Sequence, residues 1–312
     1  MPGYVTRRVL QFVPTLLGVV LLVFVLFNMV GGDPAYMLAG KITNPEQIEN
    51  IRRQLGIDQP YYVQLWIFMQ QIATGDFGVS WSTNEKISAI FATRLGPSLT
   101  VLVPMLLIGT VLSMAAALLV AYMRGSLTDR AIMIACTVGQ SISILVYIIL
   151  FQYVLAYQLG WFPVQGWGHG FSENLLRYSA LPVLVGVVVT LAPDIRLYRS
   201  FFLEEVGQDY VRTARAKGMG EARTMGVHVL RNAAIPILTN VMIQLPGLLA
   251  GAFLVERFFS IPGIGREVIL AVERSDFPLI KAVTVYVAIA TMAVNLATDL
   301  LYKVLDPRVQ LK

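Results

Sequence analysis

Six stretches of this sequence, residues 9–31, 96–123, 131–159, 180–195, 236–256 and 282–302, are almost unbroken runs of apolar side chains. A helix needs about 20 apolar residues to cross roughly 30 Å of hydrocarbon, and five of the six reach that length. Inside a bilayer no water is available to the backbone N–H and C=O groups, so each run must satisfy them internally, as a helix does. The chain therefore reads as an all-α integral membrane protein with six transmembrane helices. The fourth run is short and carries Pro182 and Pro193 near its ends, so its borders stay open: it begins before residue 180 or continues past Arg196. Composition agrees, with 56% hydrophobic and 14% charged residues against about 25% charged in soluble domains. The first run follows Arg7 and Arg8, is longer than the core of a signal peptide and lacks a small-residue cleavage site, so it is expected to stay as a helix.

The net charge of +5 would suit a nucleic-acid partner in a soluble protein. In a chain with several spans a basic excess instead marks cytoplasmic loops, and no nucleic-acid partner is expected. With the N-terminus inside, residues 1–8, 124–130, 196–235 and 303–312 hold 14 Lys and Arg in 65 positions; the opposite side holds 10 in 109. That bias predicts both termini in the cytoplasm. The chain then divides into a first helix within 1–31, an external segment 32–95, a five-helix core 96–302 with a cytoplasmic loop 199–235, and a tail 303–312. The external segment is too long for a turn, and "PEQIENIRRQLGI" and "YYVQLWIFMQQIA" have helical spacing, with Asn44-Pro45 as a start signal. "GDFGVSWS" reads as a turn-rich connector.

Several chemistries are missing. Gly40-Lys41 lacks the upstream glycine and the hydroxyl residue of a phosphate-binding loop, so the chain does not bind ATP that way. His169 and His228 fall on opposite predicted sides of the membrane and form no metal cluster, and no nucleophile elbow occurs. No catalytic residue, metal or cofactor is expected in the chain. The single Cys136 sits in an apolar run as a packing residue. Asp299 lies four residues before Lys303, the spacing of an intrahelical ion pair, and Asp194 lies near Arg196 and Arg199. The neutral polar residues of the spans, Gln140, Ser141, Ser143, Tyr147 and Gln152 in the third and Asn240 and Gln244 in the fifth, either line a hydrated path or join helices by hydrogen bonds.

One segment stands apart: "DYVRTARAKGMGEARTMGVHVLRN". Between residues 204 and 231 it mixes five basic and four acidic residues, and mixed signs disfavour a patch for anionic lipid. Asp209 to Lys217 favours helix, Gly218 is a natural stop, and Gly220-Glu221 can start a second helix whose N-terminus welcomes an acid. The product is a helical pair on the cytoplasmic face, either a docking element or a solvated loop. "FSIPGIGREV", with Pro262, Gly263 and Gly265, predicts a tight bend on the external side, re-entrant or interfacial.

"DYVRTARAKGMG" resembles the coupling loop of the membrane subunits of ATP-binding-cassette importers, in the dipeptide, oligopeptide and nickel permease group. The family's "EAA…G" motif falls on Arg212, Thr213 and Ala214 followed by Gly218, with Arg in place of Glu. The likeness extends along the chain through the first helix with its Gly-Asp-Pro exit, "RRQLGIDQPYYVQLWIFMQQIATGDFGVSWS", "VERFFSIPGIGREVILAVERSDFPLIKA" and "DPRV". It implies a multi-pass protein of the bacterial inner membrane with the type I importer fold, one half of a translocation pathway. It implies as partners a second, homologous permease, two ATPase subunits that hold ATP and Mg, an external solute-binding protein and membrane lipid. It implies contact with the ATPase through Asp209, Tyr210, Arg212, Thr213, Ala214, Arg215, Ala216, Lys217 and Gly218, with Tyr210, Ala214 and Gly218 carrying most of the energy. It implies, too, that Pro262, Gly263 and Gly265 lie near the docked binding protein. Short peptides are the default solute, with glutathione and nickel chelates also carried in the family. A self-sufficient channel or secondary carrier is the alternative of a different class.

Overall fold

The computed structural model describes residues 2–30, 35–36, 44–250 and 252–305; the Gly-Asp-Pro exit and "DPRV" lie outside them. Helix α1 spans Pro2–Val25 and widens into a π-type turn over Leu26–Val30. Two short helices follow, α2 (Pro45–Leu55) and α3 (Tyr61–Thr74). Asn44 precedes α2 in extended conformation, and α2 stops at Gly56 with φ 67°, a left-handed geometry that glycine adopts at little cost.

The spans come next. Helix α4 runs Ile87–Tyr122, and its 36 residues reach about 54 Å, so it begins nine residues before the apolar run and projects beyond the hydrocarbon. The third run is not one helix. It is α5 (Leu127–Ser141) and α6 (Ile144–Phe151, extended by a wide turn to Gln158), bent by 95°. Ile142 is extended, and the Ser143 hydroxyl accepts from Leu145 N at 3.4 Å to start α6, as an N-cap serine does. Helix α7 (Ala180–Val206) continues past Arg196. Helix α8 (Asp209–Ala216) is followed by short helical turns over Glu221–Arg223 and Thr224–Val229 that lead into α9 (Leu230–Ala250). The fifth run thus ends at residue 250, and Phe253–Phe258 forms a separate helix, α10. Helices α11 (Ile264–Glu273) and α12 (Phe277–Leu305) complete the chain.

Two contacts fix the course of the bent pair. Asp129 at the start of α5 pairs with Arg199 near the end of α7, while Gln152 beyond α6 donates to the carbonyls of Val164 and Phe258. The pair therefore runs the length of the bundle and counts as one crossing, which makes six. Helices α1 and α12 are antiparallel neighbours, joined by Arg8–Asp299 (3.0 Å) at one end and by Lys281–Asn28 at the other. Asp299 thus pairs between helices, while the side chain of Lys303, its expected partner, lies outside what is described. We call the end that carries Arg8, Arg199 and α8 the near end, and the end that carries Lys281 and Phe258 the far end.

Small residues let α4 and α7 approach. A Cβ at Gly186 would stand 1.8 Å from Met105 Sδ, and one at Gly109 would stand 3.2 Å from Thr190 Oγ1; in lipid such close backbone packing replaces the hydrophobic drive between helices. Buried Cys136 packs in the near-end core with Tyr198 and Phe202.

At the far end two buried carboxylates organise the loops. Glu256, fully buried, accepts from Ser98 Oγ (2.8 Å), Ala252 N (3.2 Å) and Arg266 N (3.0 Å), and Ser98 Oγ in turn accepts from Ile264 N (2.9 Å). The carboxylate thus sits on the first turn of α11, where N–H groups and the helix dipole favour negative charge. Burial still pushes its pKa up, against the pull of these bonds. Asp276, also fully buried, accepts from Ser80 Oγ, Trp81 N (3.1 Å) and Ser82 N (3.2 Å), tying the "GDFGVSWS" connector to the start of α12.

Removing a buried acceptor leaves its donors unpaired at about 1–3 kcal/mol each. Glu256→Ala is expected to cost about 3 kcal/mol or more, read as a lower thermal unfolding midpoint in detergent. Gly263→Ala should act in the same direction, because its Cβ would lie 2.3 Å from Glu256 Oε2. Unchanged midpoints in both variants would mean that the cradle does not hold the far end.

Candidate functional site

The near-end helical pair is built on the end of α7. Gln208 is extended ahead of α8, Asp209 falls in its first turn and Arg215 in its last, the arrangement of charge that a helix dipole favours. The helix has two faces. Val211 and Ala214 are buried, Val211 in one cluster with Phe202, Met225 and Val229, and Tyr210 packs half-buried against the same cluster. The Tyr210 hydroxyl donates to Glu205, and burial, followed by that bond, pushes its pKa up to about 12. On the other face Asp209, Arg212, Thr213, Arg215, Ala216, Lys217 and Gly218 are exposed.

Two of the expected docking anchors, Tyr210 and Ala214, lie on the inner face of the helix and Gly218 on the outer. Tyr210 and Ala214 hold α8 to its own chain, because the 100° per residue of an α-helix puts positions 210, 211 and 214 on one side. The exposed face carries three cations, Arg212, Arg215 and Lys217, and one acid, Asp209, which pairs with Arg212 at 3.4 Å. Gly218 agrees with its sequence reading: its φ is +80°, its N–H donates to Arg215 O (2.9 Å), and Met219 N donates to Ala214 O (3.2 Å). A Cβ there would meet nothing within 4 Å, so the requirement for glycine is the left-handed backbone alone. Across the turn, Arg215 Nε donates to Glu221 Oε2 at 2.9 Å and a second guanidinium N–H donates to Oε1. Both side chains are about 40% exposed, so this pair fixes geometry more than it stabilises.

Behind α8, Arg199 donates to both oxygens of Asp129 (2.9 and 2.8 Å), and the same carboxylate accepts from Gly125 N (3.0 Å). This bidentate, largely buried pair locks the end of α7 to the 124–126 turn. The sequence reading had placed Asp194 beside Arg196 and Arg199. The structure separates them, since residues two apart on a helix point nearly opposite ways. Arg196 instead donates to Gln140 Oε1 at 2.7 Å.

The candidate pathway residues fall into two groups on different sides of α7. Gln140, Ser141 and Ser143 are exposed at the 95° bend, with the Tyr147 hydroxyl donating to Gly139 O at 3.0 Å across it. Asn240 and Gln244 are half-buried between α9 and α7, and Asn240 also donates to the Tyr198 hydroxyl at 3.2 Å. The second group joins helices; the first presents open polar surface in the middle of a span. At the far end Gly263 and Gly265 are buried and Pro262 half-buried. A Cβ on Gly265 would lie 2.9 Å from Phe253 N. These two glycines answer to packing around Glu256. Sequence reasoning missed Glu256, Asp276 and the Asp129–Arg199 pair, whose side-chain partners Ser98, Ser80 and Arg199 lie 158, 196 and 70 residues away.

Comparison with known proteins covers the whole chain. Residues 109–311 match the family described as the inner membrane component of binding-protein-dependent transport systems, and residues 1–102 match the N-terminal part of such a membrane component. The glutathione transport system permease proteins GsiC of Shigella boydii serotype 4 and of Escherichia coli (strain K12) are each 34% identical over 315 residues, covering 100% of both chains. That of Salmonella choleraesuis (strain SC-B67) is 33% identical with the same coverage.

The two faces of α8 predict different costs. Arg215→Ala should lower unfolding stability by under about 1 kcal/mol, whereas Phe202→Ala, which empties the seat of the helix, should cost about 3–5 kcal/mol. Denaturation of the two variants in the same detergent compares them, and equal losses would contradict the assignment of faces.

Proposed function

The chain belongs to the inner membrane components of binding-protein-dependent transport systems, and from that premise we propose that it is one permease half of an ATP-driven importer of short peptides, glutathione among them. In this reading the near end faces the cytoplasm, as the Lys and Arg bias favours. Two ATPase subunits bind ATP and Mg, a second permease of the same kind completes the pathway, and an external binding protein delivers the solute. The chain itself hydrolyses nothing.

The observation that carries this reading is the exposed cationic face of α8, presented on a helix whose other face is buried against α7. A docking element must resist the load it receives, and Val211 and Tyr210 seat it against the Phe202 cluster. Arg212, Arg215 and Lys217 supply charge for an acidic surface of the ATPase, and Gly218 ends the helix at the contact. Gln140, Ser141, Ser143 and Tyr147 at the bend are the pathway residues this reading favours. Support for peptides comes from the relatives, whose named solute, glutathione, is itself a tripeptide.

Replacing Gly218 by valine forces a β-branched residue into a left-handed backbone, at a cost of roughly 1–2 kcal/mol, without filling occupied space. Gly218→Val is expected to leave the chain inserted in the membrane, to abolish co-purification with the ATPase subunits and to reduce uptake of labelled glutathione and dipeptide to background. Normal uptake by this variant would overturn the coupling assignment. Solute flux through liposomes that hold the chain alone would favour a self-sufficient channel or carrier instead.

A further inference from the structure

The far end contains a cavity of about 1070 Å³ that the transport reading does not use. It lies between the end of α1, helices α2 and α3, the 77–84 connector and the first turn of α12. Phe24, Phe27, Phe68, Trp81 and Phe277 are among its walls, and its charged residues are Lys281, Arg52 and Asp58. The volume is at the upper end of small-molecule sites, about 300–1,000 Å³, and exceeds the needs of a single inorganic ion.

Lys281 is the unusual feature. Its ammonium donates to Asn28 Oδ1 and stands 5.7 Å from the centre of the Phe68 ring. Among the described residues no carboxylate pairs with it, whereas Arg94, Arg199, Arg215 and Arg257 each have one. The groups behind it are already engaged. Asn28 Nδ2 donates to Gln64 Oε1 (2.7 Å), and Gln64 Nε2 donates to the carbonyls of Ile57 (3.1 Å) and Gln59 (2.7 Å). An ammonium has three donors, so this network orients the lysine and leaves its charge uncompensated. A half-buried cation without an ion-pair partner is costly, and a bound anion would supply the pair.

The surroundings identify the kind of anion. Helix α3, one wall of the cavity, exposes Tyr61, Tyr62, Trp66 and Ile67, and exposed Trp and Tyr beside membrane spans mark the level of lipid headgroups. Lys281 is the fifth residue of α12 and so sits just inside that level.

We propose that this cavity binds the phosphate of an anionic phospholipid headgroup, with the Lys281 ammonium as its counter-charge and the aromatic walls taking the adjoining glycerol and acyl carbons. Two variants separate charge from fold. Lys281→Met removes the cation, and Asn28→Asp keeps it but supplies an internal carboxylate where the amide oxygen now accepts.

The test is the thermal unfolding midpoint of the full chain in detergent, with added phosphatidylglycerol or phosphatidylcholine. Phosphatidylglycerol should raise the midpoint of the unaltered chain and of Lys281→Arg by several degrees more than phosphatidylcholine does. Lys281→Met and Asn28→Asp should lose that difference, and if Lys281→Met does not fold, Asn28→Asp decides alone. A phosphatidylglycerol preference that survives in Asn28→Asp would overturn the proposal. So would a full shift produced by inorganic phosphate or by glutathione, which would make the site one for a free anion or for a transported solute.

Discussion

The constraint on which this structure rests is that backbone polar groups in hydrocarbon have no water to turn to. Six crossings can be helices only, and every departure from helix must bring its own partners. The 95° bend at Ile142 does so through Ser143, whose hydroxyl and carbonyl accept from Leu145 N and Val146 N. The loops at the far end do so through Glu256 and Asp276, which together accept from backbone N–H groups at Ala252, Arg266, Trp81 and Ser82. Buried carboxylates are costly, and here each replaces several missing backbone partners, which accounts for two acids with no exposure at all.

How much of this is legible in sequence depends on the range of the interaction. Crossings follow from runs of apolar residues, and the stop at Gly218 follows from local backbone preference, so both can be read from a few neighbouring residues. The faces of α8 are partly legible: its apolar members, Tyr210, Val211 and Ala214, repeat at helical spacing, and reading that stripe as a seat and not as an outer surface would have placed them correctly. The bend in the third run is hidden because a serine N-cap within an apolar stretch looks like any small polar residue of a span. The Glu256 cradle is hidden for a different reason. Its donors come from Ser98, Ala252 and Arg266, and nothing local in "SIPGIG" distinguishes a glycine that yields to a buried carboxylate from one that makes an exposed turn.

Helix α7 is the element through which the parts communicate. Its end supports α8 through Phe202, and Arg199 binds it to the turn before α5. Tyr198 meets α9 through Asn240, Arg196 reaches Gln140 at the bend, and Gly186 admits Met105 of α4. Within one helix, then, lie contacts to the exposed cationic face, to the polar bend and to the longest span. Packed interiors transmit displacement because they have few voids to absorb it. In the proposed function, a shift of α8 by an ATPase would be carried by α7 as a rigid rod.

The contacts along that rod differ in how readily they change. The Arg199–Asp129 pair is bidentate and largely buried, with side-chain exposures of 20% and 6%, so breaking it would leave an uncompensated charge, a loss of several kcal/mol. The Arg196–Gln140 bond has one neutral partner, and if the bend lines a hydrated pathway, as in the proposed function, it would exchange for water at little cost. A displacement of α7 would therefore keep its grip on the 124–126 turn and the start of α5 while releasing the polar bend beyond Gln140. In the proposed function the two halves of the broken span would then differ: α5 would move with α8, and α6 would change its angle at Ile142 and Ser143.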